Sequence, residues 1–495
     1  MWIEEELHKD STGIQRSIQA LTRDYQKQLP RSIRSRLPDN KEKTTDFLNH
    51  FYDKLRNAEF NVYQKMTAGA GAGAHAVEAD EPRLAFQVTE IKNSANDLPH
   101  PRILSELQRA YDMRRHGTGT GTDGGDDDDR YIPYKVYAYI REKSEYCIQF
   151  QSTINGRAIS LYFITFPESH IAVCNKNRIG SSSSSSAADS ICASEIAVYQ
   201  IYAYKVFMWL SLVTGMAGKE CSEKGLNVYF YMTPFKKQRP ADDAILSAIH
   251  VNTGVTRNCE THGEIVVYRA EEWFKVFIHE SMHNFNMDFI DLDLKSANEQ
   301  LRRTFCIPHD DILLFETYTE TWARIINTMF DTYHVAVEHK GAVAAAATRA
   351  HFIHAVREKL TTNAVFYAHQ AVKVLEIMDL KYANITIQSA ENTEVCRKRY
   401  AEDTNVYAYY ILGGILSVYA LPFISWCCLH NRRGGGGGGG ISAIRFSKET
   451  NNLTHFVDFI TNAARDPVLL SLVSFIESSA PTTAVVKKTM RMTME

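Results

Sequence analysis

Apolar residues recur at helical spacing through the first 66 residues, with Ile14, Ile18, Leu21 and Tyr25 set among mixed charges. Positions three and four apart share one helix face, so this stretch predicts two or three helices, an N-terminal appendage over 1–66. The pattern changes after residue 130. YKVYAYI, YCIQFQ and AISLYFITF are short runs rich in aromatic and β-branched residues, broken by polar or glycine-containing turns, and they predict antiparallel strands. Residues 190–216 are apolar and largely uncharged, as a buried helix is. LNVYFYMT (226–233) and EIVVYR (264–269) predict further strands, with HVNTGVT (250–256) an extended segment between them. From residue 270 the periodicity is mainly helical. Strands first and helices afterwards indicate α+β, a small mixed or antiparallel sheet followed by a mainly helical C-terminal half. The expected division is 1–66, then a sheet-containing half over 130–290, then a helical half over 291–495.

Low-complexity runs punctuate this pattern at 68–76, 117–129, 181–186, 342–347 and 434–440. They cannot bury apolar surface and read as surface loops. None has the glycine spacing of a phosphate-binding loop, and the four aspartates 126–129 read as a solvated acidic stretch. With 55 basic and 58 acidic side chains the formal charge is −3, which gives no global attraction to nucleic acid. The nine cysteines include no C-x-x-C pair and are expected to be free buried thiols of a reducing compartment. The acidic start MWIEEELHKD has no apolar core, so an intracellular location is expected, without a secretory signal. Residues 406–429 carry no charge and are long enough to span a bilayer. Two buried helices meeting near Pro422 explain the same stretch.

Chemistry concentrates in EEWFKVFIHESMHNFNMDF (271–289), which contains H-E-x-x-H as His279, Glu280 and His283. On a helix, residues four apart lie on one face, so both imidazoles can reach one cation. Glu280 lies about 100° round from His279 and can approach a water beside that cation without ligating it. Zinc suits neutral imidazole donors and, at a catalytic site, takes a third protein ligand. The lead-in, with Trp273, Phe274, Val276, Phe277 and Ile278, is strongly apolar, as for a buried helix. Downstream, LLFETYTETWARIIN (313–327) predicts another helix with Glu316 and Glu320 on one face. Glu316 is assigned as the third ligand and Glu320 as acceptor for the free N–H of a ligand histidine. The reverse assignment stays open. An oxyanion needs a further donor, and Tyr318, His309, His351, His354, Tyr367 and His369 are candidates among which the sequence does not choose.

HESMH followed by ETYTE resembles the gluzincin type of zinc metallopeptidase, in which H-E-x-x-H is joined by a glutamate on a distal helix. The metzincin continuation is absent, because Asn286 and Phe289 stand where Gly and a third His would fall. The wider stretch of about 225–330 is similar to uncharacterised metallopeptidase-like proteins of large DNA viruses. The resemblance implies a zincin-like fold, a Zn²⁺ cofactor, a peptide or protein substrate, and Glu280 as general base in a host cytoplasm or virion. Another reading of the same residues is a catalytically silent zincin-like structural or virion protein, for which 406–429 is a candidate membrane anchor. The intact Glu280 weighs against it, because a purely structural zinc has no use for a base.

Overall fold

A tight hairpin organises the sheet. β2 (Tyr146–Ile154) and β3 (Arg157–Thr165) pair antiparallel from Tyr146↔Thr165 to Ile154↔Arg157. Asn155 and Gly156 make the turn at φ 48° and 79°, a left-handed pair that matches the strands' own twist. The structure is a computed structural model that describes residues 2–28, 35–68, 85–92, 97–102, 104–105, 132–167, 193–241, 245–306, 311–338, 345–431, 440–479 and 483–494. The low-complexity runs lie outside these residues, apart from Ala68, 345–347 and Gly440.

The fold is α+β, with a mixed sheet of six strands among the described residues, in the order β1-β2-β3-β4-β6-β5. β1 (Phe86–Glu90) pairs antiparallel with β2. β4 (Gly225–Tyr231) lies parallel to β3 and to β6 (His262–Val267), and the short β5 (Gly254–Thr256) closes that side antiparallel to β6. Passing from β3 to a parallel β4 requires a crossover, and the Ala193–Val213 helix lies on that connection.

Two expected elements differ. YKVYAYI is a helix, Tyr134–Lys143, rather than a strand. Its buried residues Val136, Tyr137 and Ile140 follow helical spacing, and the first turn closes on the Pro133 carbonyl through the N–H groups of Val136 and Tyr137 (2.9 and 3.0 Å). HVNTGVT is strand only from Gly254, because Ala248–Val251 is a helical turn.

The chain forms two compact units. One comprises Met1–His8, Asp53–Lys236 and Asn252–Asn286, and holds the sheet. Its core is aromatic: Trp273 lies 4.6 Å from Tyr202 and 5.4 Å from Phe230, whose ring stacks on Phe163 at 4.7 Å. The other comprises Lys9–Tyr52, Lys237–Val251 and Met287–Glu495, and its regular elements are helices. These units cut across the expected three-part division. Residues 9–52 belong with the helical unit, while 53–66 belong with the sheet.

Within the helical unit, the uncharged stretch 406–429 forms two pieces, Tyr407–Val418 and Ala420–His430, bent by 90° at Tyr419. Most of its residues are buried, and by length and composition the two pieces together also suffice for one broken span. Gly413 and Gly414 let it approach its neighbours: a Cβ on Gly414 would meet the Ala371 methyl and the Tyr367 carbonyl, both at 3.3 Å. Among the described residues one helix, Glu195–Val213, is long and apolar enough to cross a membrane, or up to three segments if each of two bent helix pairs counts as one span.

Cys221 and Cys259 are joined in a disulfide, which corrects the expectation of free thiols throughout. They are 38 residues apart in sequence and meet because β4 and β6 start side by side. Cys147, Cys306, Cys396, Cys427 and Cys428 are free and buried, while Cys174 and Cys192 lie outside the described residues.

Candidate metal centre

The histidine helix spans Trp273–Asn284, as the apolar lead-in predicts, and every residue from Phe274 onward is buried. Its back is pinned by a polar contact inside the core: the Trp209 indole donates to the Ser281 hydroxyl (2.7 Å), which donates to the Ile278 carbonyl (2.7 Å). The helix stops cleanly. Phe285 N–H closes on the Ser281 carbonyl, Asn286 N–H closes on the His283 carbonyl, each at 3.0 Å, and Asn286 turns the chain away at φ 50°.

His279 and His283 present their Nε2 atoms to each other at 3.1 Å, with ring planes 73° apart. Two imidazole nitrogens bound tetrahedrally to one zinc, each at about 2.0–2.1 Å, stand roughly 3.3 Å apart. The pair therefore has the spacing that a shared cation requires. Glu316 completes the group, since the ligand atoms of His279, His283 and Glu316 all lie within 4.8 Å of one another. Two neutral nitrogens and one hard oxygen are a donor set that fits zinc.

Glu316 opens the glutamate helix, Leu314–Glu338, as its only acidic first-turn residue. The partial positive charge of a helix N-terminus favours the ionised carboxylate there. Glu320, one turn on, is differently employed. Its Oε1 accepts from Arg324 Nε at 2.9 Å in a pair whose side chains are 1% and 3% exposed. Arg324 also donates to Ser417 Oγ (3.1 Å) and the Tyr409 carbonyl (2.9 Å), and its guanidinium lies 4.8 Å from the Tyr367 ring centre. The group of side chains that could hold a metal ion contains Glu316 and not Glu320.

Glu280 is buried beside β5. Gly254 makes the room: a Cβ there would lie 2.9 Å from Glu280 Cγ, 3.0 Å from its Oε1 and 2.7 Å from Val276 Cγ1. The strand is thus read as close backbone to this carboxylate. Burial raises the Tyr268 phenol well above its usual value; the Arg269 guanidinium opposes this and the Glu280 charge adds to it.

Of the oxyanion candidates, Tyr318 is committed to the core. Its hydroxyl donates to the Ile444 carbonyl (2.9 Å), accepts from Asn431 Nδ2 (2.8 Å), and sits among Phe289, Phe423, Phe446 and Phe456. Tyr367 is buried against Arg324. His351 and His354 are exposed, the latter facing Glu358 at 3.3 Å. His369 is held down to about 3, by burial and then by the Lys373 charge, and is neutral at physiological pH. His309 lies outside the described residues.

Sequence reasoning passed over Gly254, Arg324 and Asn284. Arg324 had a visible signal, because it stands four residues after Glu320. Gly254 had none beyond being a glycine in an extended segment. Comparison with protein-family models, curated proteins and solved structures found no match to this chain.

Proposed function

We propose that the protein is a zinc-dependent metallopeptidase with a zincin-like, gluzincin-type donor set. The observation that carries this reading is the grouping of His279, His283 and Glu316, two imidazoles one helical turn apart and a carboxylate from a distal helix. A zinc ion held there supplies Lewis acidity, lowering the pKa of bound water towards about 7 and polarising a carbonyl. Glu280 does the proton work. It follows His279 directly and carries no metal-ligand role in the group, so its carboxylate takes a proton from the attacking water and delivers it to the departing amine. β5 is the last strand on its side of the sheet, and an extended peptide adding along it brings a scissile bond alongside Glu280. The substrate is therefore a peptide or an extended protein segment.

The test is metal content together with casein or peptide-library cleavage, for the native chain and for Glu280→Gln. The native chain is expected to carry zinc and cleave, and the variant to keep its zinc and lose cleavage. A native chain with no zinc, or a variant that cleaves at the native rate, overturns the reading.

A further inference from the structure

Asn284 follows His283 directly and is completely buried. Its carbonyl accepts the Cys259 N–H at 3.2 Å. Its Oδ1 accepts the Ser222 hydroxyl at 2.8 Å, and its Nδ2 lies 3.5 Å from Thr256 Oγ1, which donates to the Glu264 carbonyl at 2.7 Å. The last turn of the histidine helix is therefore gripped by two loops and a strand. The grip is close: a Cβ on Gly263 would fall 2.1 Å from Ser222 Oγ and 2.8 Å from Asn284 Nδ2.

The two loops are those joined by the Cys221–Cys259 disulfide. Ser222 adjoins one cysteine, and the backbone donor to Asn284 is the other. Ser222 and Cys259 stand at φ 53° and 47°, the left-handed region that is costly for a residue with a side chain. A covalent link keeps both loops there. Arg157 supports the same corner by donating to the Cys221 carbonyl (3.0 Å) and the Gly218 carbonyl (2.8 Å).

We propose that the Cys221–Cys259 disulfide, acting through Ser222 and Asn284, sets the metal affinity of the His279/His283 pair, so that the centre binds tightly when oxidised and weakly when reduced. This rests on the metal reading of the site. Reduction breaks the S–S bond and adds two electrons and two protons to give two thiols, while a cellular dithiol reductant becomes its own disulfide. Cys259 is a half-buried residue and Cys221 a fully buried one, so attack falls on the Cys259 side. With the loops released, the last helical turn loses its grip and His283 its fixed orientation. Asn284 is thus a positioning residue.

The experiment is zinc titration of the full chain against a chromogenic chelator, oxidised and after treatment with a non-chelating phosphine, with far-UV circular dichroism in parallel. Reduction is expected to weaken zinc binding tenfold or more, and reoxidation to restore it. The double variant Cys221→Ser/Cys259→Ser, which lacks the two thiols that reduction would release beside the site, is expected to bind weakly under both conditions. Ser222→Ala leaves the disulfide in place and is expected to weaken binding several-fold, with an altered absorption spectrum of the cobalt-substituted protein. If reduction unfolds the chain, Ser222→Ala decides, and native affinity in that variant overturns the proposal. Equal affinity in folded oxidised and reduced protein overturns it while leaving the metal reading standing. Absence of zinc binding in the oxidised native chain overturns both.

Discussion

Arg324 holds the Glu320 carboxylate at 2.9 Å inside the helical unit, one turn along the helix that carries Glu316. On the metal reading proposed above the two glutamates have separate duties, and substitution separates them. Glu316→Gln is expected to abolish stoichiometric zinc and, with both proteins compared metal-free, to change stability by under about 1 kcal/mol. Glu320→Gln leaves Arg324 as a buried charge without its carboxylate and is expected to cost about 3–5 kcal/mol. Urea unfolding and metal analysis of both variants check this, and the reverse pattern would return the ligand role to Glu320.

Gly254→Ala places a methyl against Val276 and Glu280 at distances that side chains do not tolerate. The strand or the carboxylate must shift, at a cost of about 1–3 kcal/mol. The expected result is full zinc occupancy with turnover reduced at least tenfold. Native turnover in this variant would show that Glu280 has slack.

Glu402 is pushed up to about 7, chiefly by burial, against the lowering effect of bonds from the Tyr400 hydroxyl (2.6 Å) and the Tyr407 N–H (2.7 Å). The folded state keeps this proton where the unfolded chain, near 4.5, has lost it. Its stabilising contribution is therefore complete below pH 4.5 and is lost as the pH rises through 7, about 3 kcal/mol in all. Urea midpoints measured from pH 4.5 to 7.5 are expected to fall less with pH in Glu402→Gln than in the native chain.

A cation that binds only the folded chain stabilises it by mass action, about 2.7 kcal/mol at a free concentration one hundred times its Kd. Chelation is expected to lower the melting temperature of the native chain by several degrees and to leave that of His279→Ala unchanged. Equal melting shifts in the two proteins would place the stabilising cation elsewhere.

Much of this architecture was legible because burial leaves a periodic trace. β2 and β3 carry apolar residues of the core, and the histidine helix announces itself through its apolar lead-in. The failures are physical as well. Tyr134–Lys143 is rich in aromatic and β-branched residues, so propensity favoured a strand, while its tertiary surroundings select the helix. β1 is missed because its side chains are exposed or half-buried and leave no alternating apolar signal. The Cys221–Cys259 pairing is a product of parallel strand register, which no local pattern records. At the metal centre, H-E-x-x-H and the distal glutamates were readable from spacing. The sequence assigned Glu316 with Glu320 left open, and spacing alone did not show that Arg324 occupies the Glu320 carboxylate.

The backbone passes from the sheet unit to the helical unit and back, alternating through five junctions: after His8, Tyr52, Lys236, Val251 and Asn286. No single cut severs one half from the other, and trimming either end removes part of a shared whole. Residues 9–52 leave the ribosome long before residues 287–495, with which they share a unit, so the helical unit stays incomplete well after the strands of the sheet unit have been made.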